Sequence, residues 1–292
     1  MKNKKKKSKD GAKALFFVGP HLVFFTVFTL IPFIFGIIVS FTQWDLMGEM
    51  KFVGFENYAD IFTPGTVYHR DFINGLLHTM LFTAVTVPLI IIVPLILAVF
   101  LNKLRHGKSV YQALIYAPSL LSVAAVALMW RWLVDREMGA VNNLFMLDIN
   151  WVRDHPWLCI FMLTLWSGLG GNLVIFLAGL SGIPQSLYDA AEIDGANGIQ
   201  RFFRITLPEL RPQLLFTTVL GTIGGFNVFG QPYMFGGPED KTSVLMMYIQ
   251  KYVFGQATPA AGIASAMSVI LGLIIAVFGF AQLMLMRRRD DK

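Results

Sequence analysis

The sequence has little charge and almost no cysteine. Only 14% of its 292 residues are charged, whereas 55% are hydrophobic, which is far from the balance of a soluble domain. The single cysteine, Cys159, excludes a disulfide within the chain and argues against a cysteine metal cluster, so we expect it to be a packing residue. No HExxH sequence and no Cys/His ligand spacing is present. These absences argue against a soluble fold and a zinc enzyme.

Charge is missing altogether from six long stretches of the chain. Each has at least 20 residues, about the length of a membrane-spanning helix and too long for the strands of a membrane barrel. We therefore predict an all-α membrane protein with six transmembrane helices in one domain, 14–286, between a basic tail, 1–13, and a second tail, 287–292. The predicted spans are 14–41, 75–101, 111–130, 157–180, 213–236 and 260–286.

The basic residues alternate between the connecting segments. Of the 24 Lys and Arg residues, 17 lie in the two tails and in 102–110 and 181–212, whereas the other connections hold 7 basic and 11 acidic residues. The positive-inside rule then places both termini in the cytoplasm. The lysine run 4–7 indicates contact with membrane lipid, not nucleic acid. Five tryptophans near the predicted outer ends are typical of an interfacial belt: Trp44, Trp130, Trp132, Trp151 and Trp157.

The cytoplasmic connection 181–212 has a helix-break-helix pattern. Pro184 suits the first turn of a helix that continues to about Asp194, and Gly195 suits the left-handed position after a helix end. A second helix from about Asn197 must stop near Pro208. Its apolar residues, Phe202, Phe203, Ile205 and Leu207, could fasten it to the bundle. On periodicity alone, a connector lying on the membrane surface remains an equal alternative.

The residues of this connection resemble a known motif. Asp189-Ala190-Ala191, three residues, Gly195, nine residues and Ile205-Thr206-Leu207-Pro208 is similar to the EAA motif of ABC importer permeases. Asp189 departs from the usual glutamate by one methylene. The resemblance implies that this loop, between spans four and five, is a coupling helix seated on an ATPase. The implied coupling residues are Asp189, Ala190, Ala191, Gly195, Ile205, Leu207 and Pro208.

Other segments resemble the carbohydrate type of these permeases. They are Phe52–Tyr58, Gly236-Gly237-Pro238, Ser268-Val269-Ile270 and Arg287-Arg288-Arg289. The resemblance implies sugar import across a bacterial-type cytoplasmic membrane. Its implied partners are ABC ATPase subunits, a second permease that in such sugar importers is usually non-identical, and an extracytoplasmic solute-binding protein. No cofactor is expected in this chain, because ATP and Mg would be bound by the ATPase.

A sugar path should combine aromatic faces with uncharged hydrogen-bonding groups. Spans three to five offer both, and Asn227 and Gln231, four residues apart, would share one helix face. For each residue taken singly, helix packing is the commoner role. The predicted path residues are Ser119, Ser122, Thr164, Trp166, Ser167, Asn172, Thr222, Phe226, Asn227, Gln231 and Tyr233.

Two other classes of function compete with an importer permease. An ion-coupled transporter usually needs Asp, Glu or Lys within its spans, and these six spans have none, although a sodium site made of carbonyl groups would escape this test. A membrane enzyme needs a catalytic constellation, and we find none. The sequence therefore predicts a permease that is not itself an enzyme, for a sugar or, as the alternative, another polar solute.

Overall fold

The fold is known from a computed structural model that describes residues 16–104, 106–236, 241–255 and 260–287. Most of this chain is helical, with one two-stranded antiparallel ribbon, β1 (Thr42–Gln43) and β2 (Lys51–Phe52), in the register Thr42–Phe52 and Gln43–Lys51. The helices are α1 (Phe16–Val39), α2 (Glu56–Phe62), α3 (Val67–Asn102), α4 (Lys108–Tyr116), α5 (Val123–Leu133), α6 (Ala140–Phe145), α7 (Trp151–Asp154), α8 (Pro156–Ser181), α9 (Gln185–Ile193), α10 (Gly198–Arg201), α11 (Leu207–Glu209), α12 (Arg211–Phe226), α13 (Gly230–Phe235), α14 (Leu245–Phe254) and α15 (Ala261–Arg287).

Some of the predicted features lie outside the described residues. These are the tail 1–13, the tail 287–292 beyond Arg287, and the motif residues Gly237, Pro238, Arg288 and Arg289. The described chain divides into two compact units. One contains the residues up to His69 together with Ile249–Ile270, and the other contains Arg70–Tyr248 together with the residues from Leu271 onward.

Four helices are long and apolar enough to cross a membrane: α1, α3, α8, and α15 as far as Met284. They correspond to the predicted spans 14–41, 75–101, 157–180 and 260–286. The bent pair of α4 and α5 raises the number of candidate spans to five if it counts as one crossing. The structure is thus a mostly helical membrane protein with four to five candidate spans.

The predicted span 111–130 is sharply bent in the structure. After α4 the chain tightens into a 3₁₀ turn, Ala117–Leu120, and α5 then leaves at 101° to the preceding helix. Pro118 lacks the N–H that would continue α4. Ser122 restarts the helix, because its hydroxyl accepts a hydrogen bond from the Ala125 N–H at 3.3 Å.

The predicted span 213–236 is also interrupted. Helix α12 ends at Phe226, and α13 begins only at Gly230. Gly224, Gly225 and Gly230 weaken helix propensity here, and Pro232 cannot donate to the carbonyl four residues earlier. Because α12 has 16 residues, it is shorter than the length that spans a bilayer alone.

Two prolines are accommodated by wider helical turns. A π-helical turn, Thr26–Leu30, precedes Pro32 inside α1, and another, Phe202–Thr206, precedes Pro208. Proline removes one hydrogen bond and its ring crowds the carbonyl four residues back, so a wider turn gives that carbonyl room. The chain therefore remains helical through both prolines.

The second unit has two hydrophobic clusters. The first joins Phe82, Cys159, Leu163 and Phe235, with Trp130, Trp151, Trp157 and Trp166 packed against it. The packing role predicted for Cys159 is confirmed, because this residue is buried there. The second joins Leu95, Phe176, Leu180 and Leu210, with Phe202 and Leu207 packed against it. This second cluster therefore holds the end of the 181–212 connection.

The segment between α5 and α8 is organised by one buried amide. The Asn142 side chain is only 2% exposed. Its Nδ2 donates to the carbonyls of Ile149 at 2.9 Å and Arg136 at 3.1 Å, and its Oδ1 accepts from Trp151 Nε1 at 2.7 Å. The same Nδ2 also lies 3.3 Å from the Asp135 carbonyl, so one side chain fastens three backbone positions of the segment to one another.

We expect the Asn142→Leu substitution to loosen this segment, because it leaves three backbone carbonyls and the Trp151 indole without their partner. Each lost buried hydrogen bond costs roughly 1–3 kcal/mol, so amides in 135–151 should exchange with solvent at least about tenfold faster. Hydrogen exchange of the protein in lipid nanodiscs measures this. Asn143→Leu is the matched control, because Asn143 is exposed. Equal protection in the two variants would contradict the role given to Asn142.

Candidate functional site

The first half of the 181–212 connection folds as the sequence predicts. Pro184 lies just before α9, which ends at Ile193, and Gly195 has a φ of +74°. The Gly195 N–H donates to the Glu192 carbonyl at 3.0 Å, and the Ala196 N–H donates to the Ala191 carbonyl at 2.9 Å. This pair of bonds is the Schellman motif that closes a helix on a left-handed residue. The predicted left-handed conformation of Gly195 is confirmed.

The second half begins with a reciprocal cap. Asn197 Oδ1 accepts from the Gln200 N–H, and Gln200 Oε1 accepts from the Asn197 N–H, both at 2.9 Å. The helical path then runs through α10 and the π turn into α11, so it ends at Glu209, just past Pro208. The expected stop near Pro208 is confirmed, with the proline inside the last turn.

Two side-chain links join the halves across the Gly195 turn. Arg201 Nη1 donates to Glu192 Oε2 at 2.9 Å, and the hydroxyls of Tyr188 and Thr206 lie 2.9 Å apart. Thr206 is only 5% exposed, so its link is shielded from solvent. Neither of these two side-chain pairs was predicted from the sequence. The opposite charges of Glu192 and Arg201 on the two sides of a glycine turn are the signal that could have found one of them.

The same loop exposes several apolar side chains. Ile193 is 87% exposed and Phe203 60% exposed, and Leu187 and Ile199 are exposed as well. The expectation that Phe203 fastens the loop to the bundle was therefore wrong, whereas Phe202 and Leu207 do pack on the second cluster. Asp189 is exposed, and its Oδ1 accepts from Gln185 Nε2 at 3.0 Å. Ala190 is exposed and Ala191 and Ile205 are half-buried.

A cleft of about 320 Å³ lies between α3, α8, α12 and α13 in the second unit. Three of the predicted path residues line it: Thr164, Asn172 and Gln231. The sequence analysis missed other polar lining residues, Thr86 and Thr217, and the small residues Gly221, Gly224 and Gly225. The lining carries no charged side chain, so the cleft can accept an uncharged polar molecule but offers nothing to neutralise an ion.

The remaining predicted path residues do not line this cleft. Ser122 caps α5, and Trp166 packs against Trp130, with ring centroids 6.3 Å apart. Ser167 donates to the Leu163 carbonyl at 2.9 Å, and the buried Ser119 hydroxyl has no hydrogen-bond partner among the described residues. The contacts of Ser122, Trp166 and Ser167 thus lie within helices or with another aromatic ring.

In α12 and α13, Thr222 accepts from Gln282 Nε2 at 2.8 Å, and the ring of Phe226 contacts Phe278. Tyr233 is exposed and stacks on Phe229, with ring centroids 4.8 Å apart. Asn227 and Gln231 do not share a helix face, because the helix ends between them. Asn227 instead donates to the Ile223 carbonyl at 2.8 Å.

The Asn172 side chain bonds to a backbone carbonyl that a proline leaves without its helical donor. Its Nδ2 donates to the Ile90 carbonyl on α3 at 2.7 Å. Pro94, four residues after Ile90, has no N–H to donate to that carbonyl. In hydrocarbon, an unpaired carbonyl is unfavourable because no water can bond to it. The Asn172 amide therefore replaces the hydrogen bond that Pro94 removes, and it does so at the wall of the cleft.

Among the described residues, no group of three His, Cys, Asp or Glu side chains could hold a metal ion. The 181–212 loop offers a surface for a protein partner, and the uncharged cleft offers a cavity for a polar solute.

Comparison with known proteins gives a consistent result. Residues 61–291 match the family described as "Binding-protein-dependent transport system inner membrane component". The chain is 36% identical to a probable ABC transporter permease protein, YesP, of Bacillus subtilis, over 94% of this chain and 91% of the relative. It is 32% identical to the lactose transport system permease protein LacF of Rhizobium radiobacter, over 94% of this chain and 93% of the relative.

Other relatives and a solved structure extend this similarity. The arabinooligosaccharides transport system permease protein AraP of Halalkalibacterium halodurans is 32% identical, over 92% of this chain and 85% of the relative. A chain of a bacterial ABC transporter involved in the import of the acidic polysaccharide alginate matches with a TM-score of 0.82 at 21% identity. That match covers 99% of each chain and shows that the two share a fold.

We expect Asn172→Leu to destabilise the protein by about 1 kcal/mol, because the Ile90 carbonyl then has no donor. In a Pro94→Ala background the cost should shrink, since the alanine N–H can restore the helical bond to that carbonyl. Thermal unfolding in nanodiscs measures the four proteins of this cycle. Pro88→Ala is the control background, because Pro88 frees a different carbonyl. An equal cost of Asn172→Leu in all backgrounds would contradict this account.

Proposed function

The chain belongs to the binding-protein-dependent transport system inner membrane components, and we propose that it is the permease subunit of an ATP-driven importer for a sugar or oligosaccharide. The observation that carries this proposal is the rigid, partly apolar loop around Gly195 on a chain that has no energy-coupling charge in its predicted spans. As a member of this family, it is a multi-pass protein of the cytoplasmic membrane.

A sugar substrate is supported by two observations. Relatives that match almost the whole chain are named as permeases for lactose and for arabinooligosaccharides. The cleft is lined by apolar side chains together with hydroxyl and amide groups and carries no charge, which suits a neutral molecule with apolar faces and hydroxyl groups. In this proposal Thr164, Asn172 and Gln231 are the path residues that meet the substrate. Another polar solute is the alternative, and an ion-coupled transporter is the less favoured one.

The energy comes from a separate ATPase in this proposal. ATP and Mg are bound and ATP is hydrolysed by that partner, so this chain needs no cofactor and has no catalytic residue. The loop from Asp189 to Pro208 transmits the movement. Ala190 and Ala191 let another protein approach closely, and Ile193, Ile199 and Phe203 offer apolar contacts that an ATPase surface would cover.

The loop is suited to transmit force because its parts cannot move separately. The Schellman turn fixes the angle between α9 and α10, and the links Glu192–Arg201 and Tyr188–Thr206 brace it. Phe202 and Leu207 fasten the loop to the buried cluster that includes Leu210. A push on α9 therefore reaches α12, whose Thr217 and Gly221 form one wall of the cleft.

We further propose the membrane topology that the charge pattern predicts. If α4 with α5, and α12 with α13, each make one crossing, the chain crosses six times with both termini in the cytoplasm. The 181–212 loop then lies on the cytoplasmic side, where an ATPase can reach it. The connections 42–74, 131–156 and 237–259 lie outside, where a solute-binding protein would dock. A second, non-identical permease completes the enclosure of the path.

The test of this function is ATP-driven sugar uptake by vesicles that hold the chain with its partner subunits and binding protein. We expect Gly195→Val to lower uptake about tenfold while ATP hydrolysis continues. A β-branched residue in the left-handed conformation costs about 1–2 kcal/mol, which would distort the loop. Membrane insertion should not change. Uptake that needs no ATPase would overturn the proposed function.

Gly195→Asn is the matched control for this substitution. No heavy atom lies within 4 Å of the position that a side chain at residue 195 would first occupy, so the penalty comes from the backbone alone. Asparagine tolerates the left-handed conformation and should keep most of the uptake. Normal coupling in Gly195→Val would show that the shape of this loop does not transmit force.

The cleft gives a second prediction, which compares two neighbouring amides. Gln231→Leu should lower sugar uptake about three- to tenfold, since it removes one hydrogen-bonding group from the cleft wall. Asn227→Leu should have little effect, because Asn227 is exposed and bonded within its own helix end. Initial uptake rates of the two variants, with ATPase assembly checked by co-purification, measure the difference. Equal loss in both would remove Gln231 from the path.

A further inference from the structure

The first unit contains a second and larger cavity, of about 570 Å³. Its lining comes from the segment Gln43–Tyr68 and from residues 260, 262 and 263. The two segments are held together by the backbone, because the Ala261 N–H donates to the Trp44 carbonyl at 3.0 Å. Ligand sites usually have volumes of about 300–1,000 Å³, so this cavity is large enough for a small molecule. We name it the outer cavity.

One buried amide points to a ligand in the outer cavity. Asn57 is only 6% exposed and lines the cavity. Its Nδ2 donates to the carbonyls of Ser40 and Thr42, each at 2.9 Å. Its Oδ1 accepts no hydrogen bond from any described residue. This oxygen can therefore accept a further hydrogen bond, and a ligand hydroxyl group in the cavity could donate it.

Two aromatic side chains, Trp44 and Tyr68, also line the outer cavity. Trp44 is fixed in place, because its Nε1 donates to the Gly48 carbonyl at 3.1 Å and its ring meets Phe35 edge-on. A fixed aromatic ring beside hydrogen-bond acceptors offers an apolar face and polar partners together. Sugars combine the same two features, because their rings have apolar C–H faces and hydroxyl groups around the edge.

The charge of the outer cavity is strongly negative. Its lining includes four carboxylates, Asp45, Glu49, Glu56 and Asp60, and one basic residue, Lys51. Hydrogen bonds from the Gly48 and Met47 N–H groups hold the pKa of Asp45 below its ordinary value. Glu49, Glu56 and Asp60 have no ion-pair partner among the described residues. Carboxylates accept hydrogen bonds from hydroxyl groups but repel other acids.

We propose that the outer cavity is a second sugar site, which binds a neutral sugar on the extracytoplasmic side and rejects sugars that carry acid groups. Hydroxyl groups of the sugar donate to the carboxylates and to Asn57 Oδ1, and Trp44 contacts a sugar ring. This second site rests on the proposed function and on the extracytoplasmic position proposed above for residues 42–74. Because the carboxylates repel acids, the site also selects among sugars by their charge.

The test uses saturation-transfer NMR on the complete transporter in nanodiscs, without the binding protein. Lactose and galactobiose are the neutral probes, and galacturonobiose is the acidic counterpart of galactobiose. We expect both neutral sugars to bind and the acidic one to bind at least about fivefold more weakly. Trp44→Leu should lower binding of the neutral sugars about fivefold, and Trp44→Tyr, which keeps a ring, should restore most of it.

Three controls make the result specific to the outer cavity. Trp132→Leu removes a tryptophan that is 70% exposed and lies outside the cavity, and it should leave binding unchanged. Asn227→Leu alters an exposed amide that lines neither cavity, and it should also leave binding unchanged. The triple variant Glu49→Gln, Glu56→Gln, Asp60→Asn should narrow the preference for galactobiose over galacturonobiose, whereas Glu137→Gln should not.

The outcomes separate this proposal from the proposed function. If wild-type vesicles import neutral sugars but Trp44→Leu leaves binding unchanged, the outer cavity is not a sugar site and the permease function stands. If the Trp44 and carboxylate variants leave sugar binding unchanged and weaken only the affinity for the loaded binding protein, the cavity is a docking site for that protein and the proposal is wrong. If wild-type vesicles import no sugar, the proposed function fails and the outer-cavity proposal fails with it.

Discussion

The constraint on which this structure depends is that peptide groups in hydrocarbon must find their hydrogen-bond partners inside the protein. Regular helices meet it over most of α3, α8 and α15. Hydroxyl side chains in the spans follow the same rule: Thr79, Thr83 and Thr164 each donate to the carbonyl four residues back in their own helix. Where a proline breaks the pattern, a π turn or a side chain from a neighbouring helix compensates, as Asn172 does for Pro94.

The same requirement explains why the 181–212 loop is well defined although it lies at the end of the helices. A loop between two spans needs caps for one helix end and one helix start, and Gly195, Asn197 and Gln200 supply them within a few residues. The capped pieces are then joined by Glu192 with Arg201 and by Tyr188 with Thr206. These local hydrogen bonds stiffen the 181–212 loop, which has no large hydrophobic core of its own.

Much of this architecture could be predicted from composition and spacing, because long charge-free stretches and a helix-break-helix pattern are local signals. The four continuous candidate spans and the turn at Gly195 were predicted from such local signals. The size of the bend inside 111–130 and the interruption inside 213–236 were not predicted, because apolar composition does not separate one straight helix from two bent ones. Gly224, Gly225 and Gly230 and the proline at 232 were the available signals for the second interruption.

The side-chain partners could not be predicted in the same way. Asn172 meets Ile90, and the outer cavity joins the chain around Trp44 with residues 260–263, far apart in sequence. Spacing within one helix carries no information about such pairs. This is why Asn227 and Gln231 were wrongly placed on one face, and why Asn172, expected on the sugar path, also has a structural partner.

The bond between Asn172 and Ile90 has a consequence for biogenesis. The donor lies 82 residues after the acceptor along the chain. When α3 first enters the bilayer during synthesis, the carbonyl freed by Pro94 has no protein partner, and α8 has not yet emerged from the ribosome. Helix α3 can therefore complete its hydrogen bonding only after α8 has been inserted beside it. Pro94 and Asn172 thus make the completion of α3 depend on the later insertion of α8.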